Sequence, residues 1–417
     1  LNAQNGHHNM LRINADRLLA DLDRLRCFGA QSTGVVRPAF SDADMQARYW
    51  LREQFEQAGL RSLIDGLGNV LGFSRNPGKA ILMGSHADSQ STGGWLDGAM
   101  GVIYALEVAR CLSESAAHRH LAVDIVAFQD EESRFVGCLG SRSLTGSLDH
   151  PTVQNAVDKD GVRLVDALNH AGLSGTPREQ LDLGRYLGFL EAHIEQGPTL
   201  EAHAMRIGVV TDIVGVRGLK VVFKGQQNHA GTTMMALRRD ASTSLYEFAY
   251  RINQCFAAHA APRSVWTMGR VKLIPNASSI IPGYAELDLQ FRDADEAQLE
   301  RFASLAHEVR ELMTQSSGVD IEIVEARAPI KPSRMSEALY QHLEQSAQEH
   351  VPDAWMHLPS GAFHDAGIMA AFMPSAMLFI PSIKGISHDF AEDSHRDDLV
   401  LGCQVMASAV ASMFGRQ

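Results

Sequence analysis

The chain reads as an α/β protein: a mixed, mostly parallel sheet with flanking helices, interrupted by a ferredoxin-like α+β insert. Three observations carry that reading. Short apolar runs such as 121–128 alternate with stretches of helical period. From about Asp212 the strands instead alternate apolar and polar residues, most strictly in YAELDLQFRD at 284–293. After Pro329 and Pro332 the first texture returns.

In order, residues 14–25 place Leu18, Leu19, Leu22 and Leu25 on one helical stripe. A second helix starts near Ser41, with Asp42 and Asp44 in its first turn, and ends at Gly59. Residues 69–73 and 79–86 are strands. Residues 101–112 form a helix facing inward with Val102, Ala105, Leu106 and Ala109. The strand 121–128 runs straight into Gln129-Asp130-Glu131-Glu132. Further on, 213–224, 266–273, 284–293 and 319–325 read as strands, with helices at 237–260 and 295–316. This β-α-β-β-α-β order is that of a ferredoxin-like module with one solvent-facing side. The expected organisation is a main domain in two pieces, 1–212 and 328–417, around an insert of 213–327.

Composition narrows the function. The 417 residues are 45% apolar and 21% charged, ordinary for a globular chain. With 37 Lys+Arg against 49 Asp+Glu the net charge is −12, and there is no basic stripe, so no nucleic-acid partner is expected. No run of 18 apolar residues occurs, residues 1–10 are polar without a signal-peptide core, and no membrane partner is expected. Five scattered cysteines without a CxxC pair argue against a disulfide framework and fit a reducing, cytoplasmic setting. Neither a phosphate loop nor a Gly-x-Ser-x-Gly elbow is present. His307-Glu-Val-Arg-Glu311 lacks the second histidine of a zincin helix and reads as a solvated face.

Histidines beside acidic residues are the distinctive feature. In Gly84-Ser85-His86-Ala87-Asp88 an imidazole ends an apolar strand, where open α/β sheets place their sites. Asp88 can accept its other ring N–H and orient it as a ligand; alternatively His86 is a buried histidine bonded to its neighbour. Asp97, in Gly93-Gly94-Trp95-Leu96-Asp97-Gly98, is a candidate bridge between two cations or a helix-capping turn residue. Asp130-Glu131-Glu132 is an acidic turn, or a pair in which one glutamate ligates and its neighbour takes a proton from an attacking water. His193 in Glu191-Ala192-His193-Ile194-Glu195-Gln196-Gly197 and His388 in Gly385-Ile386-Ser387-His388-Asp389 complete a thiol-free donor set. Such a set suits a pair of zinc, manganese, cobalt or nickel ions.

Taken together, GSHADS, GGWLDGAMGV, FQDEES, LEAHIEQG and GISHDF resemble the M20-type metallohydrolases, in their hydantoinase/carbamoylase amidase branch. The resemblance covers nearly the whole chain. It implies that His86, Asp97, Glu132, His193 and His388 ligate two divalent ions per subunit, with Asp97 as the bridge. It implies Glu131 as the general base and Asp88 as the carboxylate behind His86. His229, in Asn228-His229-Ala230-Gly231-Thr232-Thr233, matches the substrate-polarising histidine. Asn276 and Arg292 match positions that grip a substrate carboxylate, Gln196 a further substrate contact, and Gly361 and Ala362 a ligand-seating loop. Without the resemblance, His229 reads equally as a turn histidine, and Arg292 reads first as a surface ion pair with Asp293 or a neighbouring strand. Two departures stand out: Glu132 runs into Ser133 without the usual glycine, and Phe363 replaces a glycine after Ala362.

The activity so implied is cleavage of the ureido C–N bond of N-carbamoyl-L-amino acids to amino acid, carbon dioxide and ammonia. Allantoate amidohydrolase and β-ureidopropionase are the alternatives, followed by aminoacylase or dipeptidase activity and a non-catalytic ligand-binding relative. The resemblance further implies a small ureido or carbamoyl carboxylate as substrate, and an insert acting as lid and as the contact of a homodimer.

Overall fold

Asn14 and Ser41 each turn a side-chain oxygen onto a free N–H of the first turn that follows, and so start Ala15–Arg26 (α1) and Asp42–Gln57 (α2). These open the computed structural model, which describes residues 11–326 and 328–415. Residues 1–10, read above as lacking a signal-peptide core, lie outside the described residues, as does Arg327. The chain divides into two units, Leu1–Thr211 with Arg334–Gln417, and Asp212–Ser333.

After α2 the first unit continues with Arg61–Ile64 (β1), Val70–Phe73 (β2), Ala80–His86 (β3), Ala99–Glu114 (α3) and Val123–Phe128 (β4). Three short helices from Leu139 to His170 follow, then Tyr186–Ile194 (β5) and Ile207–Ile213 (β6). The second unit contains Gly215–Lys224 (β7), Ala241–His259 (α4), Val265–Ile274 (β8), Tyr284–Asp293 (β9), Glu296–Ser317 (α5) and Asp320–Glu325 (β10). The first unit resumes with Glu337–His350 (α6), Trp355–Ser360 (β11), Ser375–Ile380 (β12) and Arg396–Phe414 (α7).

The large sheet runs β6-β12-β5-β3-β4-β2-β1, with β11 also on β6. Its centre, β12-β5-β3-β4, is parallel, and antiparallel strands flank it on both sides. Every residue of β3, β4 and β12 is buried, because helices cover both faces. Parallel pairing also brings the carboxyl ends of β3, β4, β5 and β12 to one edge, which positions the site. One described helix, α7, is long and apolar enough to cross a bilayer. Its Leu399, Cys403, Met406 and Val410 are fully buried in a core shared with α1, α3 and α6, so it serves as a core helix.

In the second unit β8-β9-β7-β10 pair antiparallel with α4 and α5 on one face, the ferredoxin-like order. Residues of β9 alternate half-buried and buried, as one covered face requires. Phe256 and Phe302 stack at 4.2 Å in its core. The bridge Val216↔Ile330 keeps the chain with this unit as far as Ser333.

Candidate metal centre

His86 is the last residue of β3, His193 the penultimate residue of β5, and Glu131 and Glu132 lie in the turn after β4. Asp97 stands just before α3, and His388 lies in the connection from β12 to α7. Five segments distant in sequence thus meet at the carboxyl edge of the parallel strands. Gly98 makes the closest approach possible: its φ is +64°, and a Cβ there would sit 2.3 Å from the His86 ring. Ser133, Gln196 and His388 hold φ of 62°, 57° and 54° without being glycines, a backbone cost of roughly 1–3 kcal/mol each that clusters at this site. Ser133 is where the expected glycine is missing, and it keeps the left-handed backbone all the same.

Two groups of candidate ligand atoms form there, His86–Asp97–His193 and Asp97–Glu132–His388, each with its atoms within 4.8 Å of one another. Asp97 belongs to both. Its Oδ1 lies 3.1 Å from His193 Nε2 and 3.7 Å from His86 Nε2, and its Oδ2 lies 3.2 Å from His388 Nε2. Glu132 Oε1 is 3.5 Å from His388 Nε2, and Glu131 Oε2 is 3.8 Å from His86 Nε2.

Hydrogen bonds fix how the rings face. His86 Nδ1–H donates to the backbone carbonyl of Asp88 (3.0 Å), and His193 Nδ1–H donates to that of Ile194 (2.9 Å). When each ring is neutral, Nε2 is its unprotonated nitrogen: that of His86 faces Asp97, and that of His193 lies beside Asp97 and accepts the Gly98 N–H at 3.2 Å. This corrects the expectation for Asp88. Its carbonyl, not its carboxylate, takes the ring N–H, because the carbonyl oxygen lies at hydrogen-bond distance and the carboxylate does not. The Asp88 carboxylate stands 3.8 Å away and accepts the Glu132 N–H (3.2 Å).

Electron-rich atoms facing one another in a buried site need a positive charge between them, either a proton or a cation. Titration reflects that demand. Although burial opposes it, His86 is driven well above the usual imidazole range by Glu131, Asp97 and Asp88. His388 is pushed up to about 9 by its bond to Asp97. Asp97, despite burial, is held well below the carboxylate range by His193, His388 and His86. Burial raises Glu131 well above its ordinary value, with Glu132, Asp365 and Asp97 adding to it while His86 opposes, and burial pushes Glu132 up to about 7. Glu132 Oε1 is buried and makes no hydrogen bond among the described residues. Imidazole nitrogens and carboxylate oxygens, one of them orphaned, fit a divalent transition metal.

The remaining expected residues fall in two places. Gln196 joins the cluster: its Nε2 donates to Asp97 Oδ2 (3.2 Å) and Ser387 Oγ (3.1 Å) and lies 3.3 Å from His388 Nε2. Gly361 and Ala362 follow β11; Ser360 Oγ holds the Ala362 N–H and bonds the buried His364, whose ring lies 4.4 Å from that of His193. His229, Asn276 and Arg292 belong to the second unit. His229 and Asn276 are exposed. Arg292 donates through Nε and Nη2 to Gln290 Oε1 (3.2 and 3.1 Å).

Two contributors were not anticipated. Glu392 Oε1 accepts the N–H groups of Leu96 and Asp97 (3.3 and 3.1 Å) while its Oε2 accepts from Ser387 Oγ (2.7 Å), clamping the Asp97 loop to the His388 loop. Arg48, fully buried, pairs with Asp44 (2.9 Å), donates to the Ala127 and Phe128 carbonyls that end β4, and lies 3.7 Å from Asp88. Its signal was visible: Arg48 shares a helical stripe with Leu51 and Phe55, where a charge has to be buried.

Residues 82–412 match the family described as Peptidase family M20/M25/M40. The crystal structure of an amidase of the hydantoinase/carbamoylase family from Burkholderia phymatum is similar at a TM-score of 0.92 and 46% identity, covering 98% of this chain and 99% of that one. An N-carbamoyl-L-amino acid amidohydrolase of Geobacillus stearothermophilus is 32% identical over 417 residues, 95% of this chain and 98% of the relative. An allantoate amidohydrolase of Escherichia coli (strain K12) is 33% identical over 398 residues, 92% and 94% respectively. The chain belongs to the M20/M25/M40 family, a metal-dependent one, and is a hydrolase.

Proposed function

We propose that this hydrolase cleaves the ureido C–N bond of N-carbamoyl-L-amino acids, giving amino acid, carbon dioxide and ammonia. One observation carries the reading. A single carboxylate, Asp97, is shared by two ligand groups, with an enclosed glutamate beside them. Under this reading His86 and His193 hold one divalent cation, Glu132 and His388 a second, and Asp97 both. Cations held there lower the pKa of water and polarise the scissile carbonyl. Glu131 accepts the proton of the attacking water and returns it to the leaving nitrogen as the C–N bond breaks.

The other residues orient and select. Gln196 keeps an amide at the rim of the cluster. His229 donates Nε2–H to the carbonyl oxygen as negative charge develops on it. Asn276 and the planar fork of Arg292 grip the substrate carboxylate. These three residues act from the insert of the same chain or of a partner copy. Exposed Val265, Val271 and Ile274 on the edge strand β8, and Tyr246 and Tyr250 on α4, support a homodimer through this unit.

An ammonia-release panel on metal-reconstituted enzyme tests the proposal. It sets N-carbamoyl-L-amino acids of graded size beside β-ureidopropionate, allantoate, ureidoglycolate, N-acetyl amino acids (read as released amine) and a dipeptide. The expected result is the highest kcat/KM for a carbamoyl amino acid. A clear preference for allantoate would overturn the substrate but keep the chemistry; activity on the dipeptide alone would overturn both.

A further inference from the structure

An exposed imidazole on a turn ordinarily samples both neutral tautomers. His229 is exposed, yet its ring is held. The N–H groups of Gly231 and Thr232 both donate to His229 Nδ1, at 3.0 and 3.1 Å, so that nitrogen is an acceptor and the ring proton sits on Nε2. A Cβ on Gly231 would stand 3.2 Å from His229 Cε1, a tight contact that would press the ring back by a few tenths of an ångström. Thr233 secures the other side, its N–H and hydroxyl donating to the His229 carbonyl at 3.2 and 2.8 Å.

Within this turn one side chain brackets the two donors. Arg238 Nη2 donates to the Ala230 carbonyl (2.5 Å) and Arg238 Nε to the Thr233 carbonyl (3.1 Å), the peptides on either side of Gly231 and Thr232. We infer that Arg238 is a positioning residue that presets His229 as an Nε2–H donor. A guanidinium fork suits two carbonyls at fixed separation, whereas an ammonium is a single point. The opposite tautomer would turn a lone pair toward the substrate oxygen and replace attraction by repulsion. The inference rests on the reading of His229 as the donor to that oxygen. Arg239, next in sequence, donates instead to the Gly318 carbonyl and supplies a control.

The test is histidine 15N NMR on the full-length, zinc-loaded protein, with the His229 signal assigned by its loss in His229→Gln. Wild type and Arg239→Ala should show the Nε2–H tautomer. Arg238→Ala should show a mixture, with kcat lower by about a hundredfold, the scale of a misplaced catalytic group, and KM and bound zinc unchanged. Arg238→Lys should recover part of both. In the His229→Gln background Arg238→Ala should cost nothing further. An unchanged tautomer in Arg238→Ala and Arg238→Lys would overturn the inference, as would a loss of kcat that persists without His229. Undiminished turnover in His229→Gln would instead overturn the donor reading, and the NMR comparison would still decide what Arg238 does to the ring.

Discussion

In the unit built on the large sheet, the candidate chemistry is crowded with charge and largely buried, with His388 as its exposed member: Asp97, Glu131 and Glu132 press against three imidazoles at 3.1–3.8 Å. In the inserted unit His229 and Asn276 are exposed, and hydrogen bonds within the unit already hold His229 and Arg292. The difference teaches which parts suit a cation and which suit a substrate. A largely buried acid–imidazole cluster is stable only with positive charge supplied, as protons or as a cation, so it suits a metal ion. Exposed hydrogen-bond donors and a guanidinium suit an oxygen-rich organic ligand that arrives and leaves. Removing a residue from the first unit should therefore act on metal or on the chemical step, and removing one from the second should act on binding and orientation.

The sharpest way to break that division is Glu131→Gln. It should lower turnover by about two to four orders of magnitude, the scale of general-base loss, while metal content by mass spectrometry stays near that of wild type. Loss of metal instead would make Glu131 a ligand. Next in size is the pH dependence of metal binding. Glu132, at about 7, and His388, at about 9, together with the raised Glu131 and His86, carry protons in the cation-free site. A ligand must shed its proton before it binds, so the affinity should rise with pH, about tenfold per unit for each proton released. Calorimetry in buffers of different ionisation enthalpy reads that release, and a Kd unchanged between about pH 6 and 9 would contradict it. The smallest effect belongs to the insert. Arg292→Ala should raise KM roughly tenfold for carboxylate-bearing substrates and much less for their amides, with metal content untouched. Equal losses on acid and amide would remove the carboxylate grip.

Much of this was legible in the residues. Apolar strands that end in His86, or run directly into Glu131 and Glu132, announce a site at a sheet edge, because period and polarity change at one point. The strict alternation of 284–293 announces a half-covered sheet for the same reason. Less legible was what holds the ligands. Glu392 acts through backbone N–H groups almost 300 residues away in sequence, and no spacing rule reports that. The acceptor of the His86 ring N–H depended on a carbonyl orientation, which the identity of residue 88 does not encode. The tautomer of His229 likewise depends on two backbone N–H groups rather than on any side chain in its motif.

Anomalous diffraction at the zinc edge, on crystals of zinc-reconstituted protein, addresses the shared carboxylate itself. The account requires two peaks per chain, one against His86 and His193 and the other against Glu132 and His388, with Asp97 touching both. A single peak, or peaks that leave Asp97 uncoordinated, would contradict it.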